Sequence, residues 1–231
     1  MKKIILLSIC FFCLLTSIFA ESLNGAPSLS GGIKFNGLST EIQVTTVNGN
    51  QYNLIDWAGL KDSNSFAIDF NYEWYCSNYP IYFGIAVDLD VGNIATLDPG
   101  FKIGYYNDYI NLFCKLGISV LAAEMDATND VYWSKNGNDY YKIDSFCFNG
   151  GGYNFGFGLD VHLNRKPFFI RLAYDYENCN NPDIEIKTSS FTQKIKSSDI
   201  PGDTDFSNSS FTIAIGWQFK RKNIVAYDSI K

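Results

Sequence analysis

The chain has 231 residues, of which 46% are hydrophobic, 16% aromatic and 18% charged. This apolar fraction excludes an intrinsically disordered chain, and the length fits one β-rich domain. The formal net charge is −6, which argues against an electrostatic nucleic-acid binder. Mean hydropathy is −0.06 and no apolar run beyond the N terminus is long enough for a spanning helix, which excludes a polytopic helical membrane protein.

Residues 1–20 have the layout of a secretory signal peptide. Lys2 and Lys3 precede an apolar core that runs from Ile4 to Leu15, and small or polar residues lead to Ala20. We therefore predict cleavage after Ala20 and export from the cytoplasm.

Four cysteines lie beyond the signal peptide. They are Cys76, Cys114, Cys147 and Cys179. Their spacing contains no CxxC pair and no metal-binding pattern, and three disulfide pairings remain open. We predict that most of them are free thiols that pack as small apolar groups.

Seven segments alternate large apolar residues with polar or small residues at a period of two. In chain order they cover 66–74, 81–91, 101–106, 110–120, 153–163, 168–176 and 211–219. This alternation predicts seven β-strands.

An eighth strand is predicted within 30–47, where Ile33 and Phe35 are followed by Ile42 and Val44. The parity of the pattern slips near Gly37, which a β-bulge or two shorter strands would explain. Eight strands give the even count that a bacterial barrel requires.

The predicted connections alternate between long and short. They span 45–65, 76–80, 92–100, 107–109, 121–146, 164–167 and 177–209. Short periplasmic turns and long extracellular loops are typical of outer-membrane barrels. Asn48-Gly49 and Asn136-Gly137 predict hairpins inside two of the long loops.

The direction of the apolar face distinguishes a membrane barrel, in which apolar side chains face lipid, from a soluble lipocalin-like barrel or a sandwich, in which they face the interior. Aromatic residues lie towards strand ends, as at Phe211 and Trp217, and the polar face is rich in Gly, Ala and Ser. These features favour apolar side chains that face lipid. The predicted fold is all-β: a closed up-and-down antiparallel transmembrane barrel of about eight strands over 21–219, with a periplasmic extension over 220–231.

With these features the chain resembles the small bacterial outer-membrane barrels of the OmpA/OmpX/OmpW type. The segment 210–219 is similar to the terminal assembly strand of that family, although Lys220–Lys231 follow it here. The resemblance implies location in the outer membrane, contact with its lipids and function through the extracellular loops.

Charged residues on the polar face predict an internal salt-bridge network rather than a catalytic site. The network is expected to include Asp69, Glu73, Asp88, Asp90, Lys102, Lys115, Asp160, His162, Arg171 and Asp175, with Lys34 as a further partner. His162 is the only histidine and is placed near the periplasmic end, away from outer-leaflet substrates. We therefore expect no enzyme activity, cofactor or metal.

Aromatic residues in the third long loop are the candidate binding residues. They are Tyr132, Trp133, Tyr140 and Tyr141. The first functional hypothesis is a monomeric envelope protein with a structural or surface-interaction role, whose partner would be an extracellular protein or host-surface ligand. A narrow channel for small solutes is the alternative, and a soluble ligand-binding barrel is a further one.

Overall fold

The computed structural model of the protein describes residues 25–46, 48–61, 64–76, 79–134, 139–163, 166–196 and 204–219. The predicted signal peptide (1–20) and C-terminal extension (220–231) lie outside the described residues.

The described elements are strands with one short helix between them. They are β1 (Gly25–Thr40), β2 (Gln43–Thr45), β3 (Gln51–Asn53), α1 (Leu54–Ala58), β4 (Asn64–Tyr75), β5 (Ile81–Val91), β6 (Ile94–Tyr106), β7 (Ile110–Asp126), β8 (Tyr132–Trp133), β9 (Tyr141–His162), β10 (Phe168–Asn180), β11 (Asp183–Thr188), β12 (Thr192–Ile195) and β13 (Asp205–Gln218). Across the ranges described, no helix is both long and apolar enough to cross a membrane.

Eight long strands form a closed antiparallel ring in the order β1-β4-β5-β6-β7-β9-β10-β13, and β13 returns to β1. Closure leaves no unpaired edge, so that backbone polar groups are satisfied within the sheet. The predicted fold class and strand count are confirmed.

The barrel is apolar outside and polar inside over most of its height. On β7, Leu116 and Ile118 are exposed, whereas Lys115 and Ser119 point inwards and are buried. On β13, exposed Ile213 and Ile215 lie between Phe211 and Trp217. This inverted polarity is that of a barrel in lipid, and the soluble lipocalin-like alternative is wrong.

Near the extracellular ends of the strands this polarity reverses. Beyond Val120 the inward residues of β7 are the buried Leu121 and Met125, whereas Glu124 and Asp126 face outwards. The strand therefore continues to Asp126, and the prediction of a loop from residue 121 is wrong. Outside the membrane the barrel exterior meets water, so the apolar residues move to the interior.

The same reversal explains the parity slip in β1. Its ladder with β13 runs from Ser28 opposite Gln218 to Thr40 opposite Phe206 without a shift in register. Neither a bulge nor two strands is present at Gly37, and both explanations are wrong. Val44 instead belongs to the β2–β3 hairpin, in which Gly49 has a φ of +79°.

The second extracellular connection is a tight turn and not the predicted loop over 92–100. Only Gly92 and Asn93 separate β5 from β6, so the predicted alternation of loop lengths fails at this position. Pro99 lies inside β6, opposite Val87. The ladder between β6 and β7 omits Asp98 and Pro99, which accommodates the missing proline N–H.

Candidate functional site

Buried ion pairs fill the barrel lumen in layers. In the lowest layer, which is the one nearest the periplasmic end, Arg171 binds Asp160 with two hydrogen bonds. Nε donates to Oδ1 at 2.7 Å and Nη2 donates to Oδ2 at 2.9 Å. Its Nη1 donates to Asp69 Oδ2 at 3.1 Å. The guanidinium also lies 5.1 Å from the ring centre of Phe113, which adds a cation–π contact.

Lys102 joins the same layer to the periplasmic end of the lumen. Its Nζ lies 2.7 Å from Glu73 Oε1 and 3.9 Å from Asp160 Oδ2. Glu73 also accepts a hydrogen bond from Gln218 Nε2 at 2.7 Å. The lysine and its acceptors are therefore held by partners on several strands.

Aromatic rings close the lumen at its periplasmic end. Tyr75 stacks on Tyr82 at 5.2 Å and meets Tyr106 edge-on at 4.7 Å. Inward glycines make room for such rings, because a Cβ at Gly104 would overlap Tyr82. His162 is buried at the same end, 5.4 Å from the ring of Phe169.

The middle layer is centred on Lys115. Its ammonium pairs with Asp88 and, at 3.0 Å, with Asp175. A cavity of about 20 Å³ lies between this layer and the lowest one. That volume has room for roughly one water molecule, so it does not form a continuous pore.

The upper layer contains Lys34, which pairs with Asp90 at 2.5 Å and with Glu177. Thr96 Oγ1 lies 2.6 Å from Asp90 Oδ2 and 2.9 Å from Asp98 Oδ2. Asn208 donates from Nδ2 to Glu177 Oε2 at 3.1 Å.

The structure thus brings the charged residues predicted for the lumen into its layers, and it adds two acids that the sequence reasoning missed. The alternation predicts Asp98 and Glu177 in the connections 92–100 and 177–209, although both keep the inward parity of their strands. Asp98 shares the parity of Lys102, and Glu177 shares that of Asp175. Extending the alternation beyond the predicted strand ends would have found them.

An apolar cap covers the upper layer on the extracellular side. We define this cap by six buried side chains that belong to one cluster: Leu54, Ile94, Leu121, Phe148, Ile184 and Phe206. Phe148 and Phe206 stack with ring centres 4.9 Å apart. The cap draws on α1, β11 and four barrel strands, so the extracellular loops and the barrel share one core.

The four aromatic loop candidates lie around the β8–β9 ribbon, but their exposure differs. Tyr132 and Tyr140 are 52% and 54% exposed. Tyr141 packs edge-on against Phe191 at 4.8 Å, and Trp133 lies 5.8 Å from the same ring. The turn at Asn136-Gly137 lies outside the described residues, while its flanking strands pair at Tyr132–Lys142 and Trp133–Tyr141.

Ion pairs on the extracellular ribbons are solvent-exposed. A hydrogen bond from Lys187 lowers the pKa of Glu124, and the same contact, 2.5 Å long, raises the pKa of Lys187. A hydrogen bond from Lys142 likewise lowers the pKa of Asp130. Pairs of this kind contribute little to stability because water and salt screen them.

The cysteines are free thiols, as predicted. Cys147 and Cys179 are buried in the extracellular part of the barrel, whereas Cys114 lies on the outer surface. Burial, together with the Asp205 carboxylate, raises the pKa of Cys179 to about 11.

Comparison with known proteins finds no matching family model and no matching curated protein. Among solved structures, Ail, the attachment invasion locus protein of Yersinia pestis, is 14% identical, with a TM-score of 0.43 over 85% of this chain and 100% of that one. The outer membrane protein OprG from Pseudomonas aeruginosa is 12% identical, with a TM-score of 0.44 over 85% and 97%. A major outer membrane protein from Thermus thermophilus is 8% identical, with a TM-score of 0.47 over 84% and 99%.

The closed ring and its exposed apolar belt themselves assign the chain to the outer-membrane class of β-barrels. Only a closed sheet or a helix satisfies its backbone polar groups in lipid, and barrels with apolar exteriors are the outer-membrane solution. The predicted location in the bacterial outer membrane is therefore confirmed.

Proposed function

We propose that this protein is a closed, non-catalytic outer-membrane barrel that acts by surface interaction through its extracellular ribbons. The observation that carries the proposal is that both the lumen and its outer mouth are filled. Ion pairs and aromatic rings occupy the lumen, and the apolar cap covers the extracellular end. A scaffold without an open path leaves its exposed loops as the part available to partners.

The filled lumen argues against the channel alternative. An eight-stranded barrel encloses only enough space for side chains. Here that space holds the buried charges of Lys34, Lys102, Lys115 and Arg171 with their partners. A solute path would require several of these pairs to separate and the cap to open.

The β8–β9 ribbon is the favoured contact surface. Tyr132 and Tyr140 expose large amphipathic rings there, and rings of this type supply contact area at a small cost in side-chain entropy. β9 also pairs with β7 and β11 over its upper half, which holds the ribbon in place. The partner class that fits is an extracellular protein or a host-surface ligand.

Planar-bilayer recording of the refolded protein tests the closed barrel. We expect no steady conductance above that of the bare bilayer, because the ion pairs and the cap block the lumen. Steady, large conductance from the folded barrel would refute the closed barrel and support the channel alternative.

A binding assay tests the surface role. Bacterial cells that express the barrel would be applied to epithelial monolayers and to surfaces coated with fibronectin, laminin or collagen. Binding should exceed that of cells without the protein and should fall in a Tyr132→Ser/Tyr140→Ser variant.

The matched control is Tyr79→Ser/Tyr109→Ser, which alters two tyrosines of similar exposure, 64% and 55%, at the periplasmic end. This variant should bind as the unmodified protein does. Equal loss in both variants, or no binding above background to any of these surfaces, would refute the assignment of the ribbon.

A further inference from the structure

The upper lumen layer contains three carboxylates that are almost completely buried. Asp90, Asp98 and Glu177 are 2%, 0% and 1% exposed, and one oxygen from each lies within 4.8 Å of the others. They come from β5, β6 and β10 and therefore connect different parts of the ring. The layer lies directly beneath the apolar cap, since Thr96 is paired with both Asp90 and the cap residue Leu121.

Positive charge in this layer falls short of the negative charge. Lys34 contacts Asp90 and Glu177, so that one ammonium faces three carboxyl groups. With all three acids ionised the excess is two negative charges, compared with one in the layer of Lys115 and its two aspartates. Burial of uncompensated charge is strongly unfavourable, and such groups in proteins are paired or bind metal ions.

Hydrogen-bond donors are also too few around Asp98. The Thr96 hydroxyl lies within reach of Asp90 and Asp98 but has a single proton to donate. Within the ranges that the structure describes, Asp98 Oδ1 has no hydrogen-bond partner. One carboxylate oxygen is therefore left for a ligand.

In the part of the chain that the structure describes, a second unpartnered oxygen belongs to Asn208, a residue that contacts the cluster through Glu177. Asn208 is fully buried, and its Nδ2 donates to Glu177 Oε2 at 3.1 Å and to Asn36 Oδ1 at 3.0 Å. Its own Oδ1 has no partner among the described residues. An amide oxygen is an acceptor only, so it adds a potential ligand to the site and no positive charge.

From this geometry we propose a divalent-cation site of the Ca²⁺ type, formed by Asp90, Asp98 and Glu177 with Asn208 Oδ1 as a fourth oxygen. Carboxylate and amide oxygens are the ligands that Ca²⁺ takes, at about 2.3–2.6 Å, so opposite ligands lie roughly 5 Å apart. One oxygen of each acid lies within 4.8 Å of the others, so all three are close enough together to bind one such ion. Lys34 competes for two of the carboxylates and therefore weakens the site.

Such an ion would tie β5, β6, β10 and β13 together beneath the cap. Its binding would be linked to folding, because the unfolded chain does not hold these oxygens in one place. At a Ca²⁺ concentration of 100 times Kd, the folding equilibrium constant should rise about a hundredfold.

The experiment uses the full barrel refolded in phosphatidylcholine vesicles, which carry no anionic lipid. Urea unfolding is measured in 1 mM Ca²⁺ and in EDTA, and bound Ca²⁺ per barrel is counted by equilibrium dialysis. We expect one bound ion and a higher unfolding midpoint in Ca²⁺. No bound ion together with equal midpoints would overturn the proposal.

Two variants of the site and one control variant keep the test decisive. Asp98→Asn should remove the bound ion and the Ca²⁺ dependence, whereas Asp130→Asn, at an exposed acid on the extracellular ribbon, should change neither. Lys34→Met should fold better in Ca²⁺ than in EDTA and bind the ion more tightly than the unmodified barrel. Retention of the ion by Asp98→Asn, or weaker binding by Lys34→Met, would refute the site.

A proton is the competing occupant of the layer. If the unmodified barrel binds no Ca²⁺ and becomes more stable in EDTA as the pH falls from 7 to 5, the charge deficit is met by protonation and the cation proposal is wrong.

Discussion

Arg171 offers the sharpest test of whether the lumen network supports the barrel. Its guanidinium is buried and makes two hydrogen bonds to Asp160 and one to Asp69. In Arg171→Met the new side chain retains much of the length of arginine but has no charge. Asp160 would then keep Lys102, 3.9 Å away, and Asp69 would keep the Ser30 hydroxyl at 2.6 Å.

The expected cost follows from the two buried acids that lose the guanidinium as their partner. Removing one partner of a buried ion pair destabilises proteins by about 3–5 kcal/mol, because the remaining charge stays buried. The folding equilibrium constant should therefore fall roughly a hundredfold to several thousandfold. The double variant Arg171→Met/Asp160→Asn should recover part of this loss, since it removes one of the two buried charges that lost the guanidinium.

Urea unfolding in lipid vesicles, followed by tryptophan fluorescence and by mobility of unheated samples on detergent gels, measures the effect. Lys142→Met is the control, because it breaks an ion pair of the same kind at an exposed site. We expect no measurable change in the control. An Arg171→Met barrel as stable as the unmodified protein would refute the view that the network compensates buried charge.

Three further predictions concern the lipid-facing Ile213, the thiol of Cys179 and the barrel as a whole. Ile213→Arg should lower the free energy of unfolding by about 2–4 kcal/mol because Ile213 faces the bilayer, whereas Tyr132→Arg, at a similarly exposed residue outside the bilayer, should be tolerated. Equal stability of the two variants in vesicle unfolding would contradict the assigned lipid face. Because burial raises its pKa, Cys179 should react with a water-soluble maleimide at pH 7.5 roughly a few-hundredfold more slowly than an ordinary thiol, and it should react readily after unfolding. Labelling of the native protein at the rate of the partly exposed Cys76 would contradict this prediction. Unheated protein should migrate differently from boiled protein on detergent gels because the closed ring resists detergent, and identical migration of membrane-extracted samples would argue against closure.

The period-two pattern was sufficient to predict the barrel and the direction of its faces. Lipid selects apolar side chains on the outside, and the narrow lumen selects glycine, small residues and paired charges, so each strand carries the signal locally. Residues such as Ile213 and Thr212 could be assigned to opposite faces without knowledge of their neighbours. The lumen candidates were found by the same parity.

The sequence misled where the solvent around the strand changes. Between Val120 and Leu121 the apolar residues move from the outer to the inner face, and a pattern that assumes one environment interprets this change as the end of a strand. The same assumption predicts Asp98 and Glu177 in loops, so that the pattern identifies only Lys34 and Asp90 of the upper lumen layer.

Pairing across the lumen could be decided only by the tertiary structure. Parity places Lys34 and Arg171 inside the barrel, but their partners depend on the stagger between strands that are distant in the chain, as with Lys34 and Glu177. The apolar cap has the same origin, because α1 and β11 meet the barrel strands only after the ring has closed. Local alternation therefore determined the barrel and which face of each strand meets lipid, whereas ring closure and stagger determined which charges pair, where the lumen is sealed and where three acids meet.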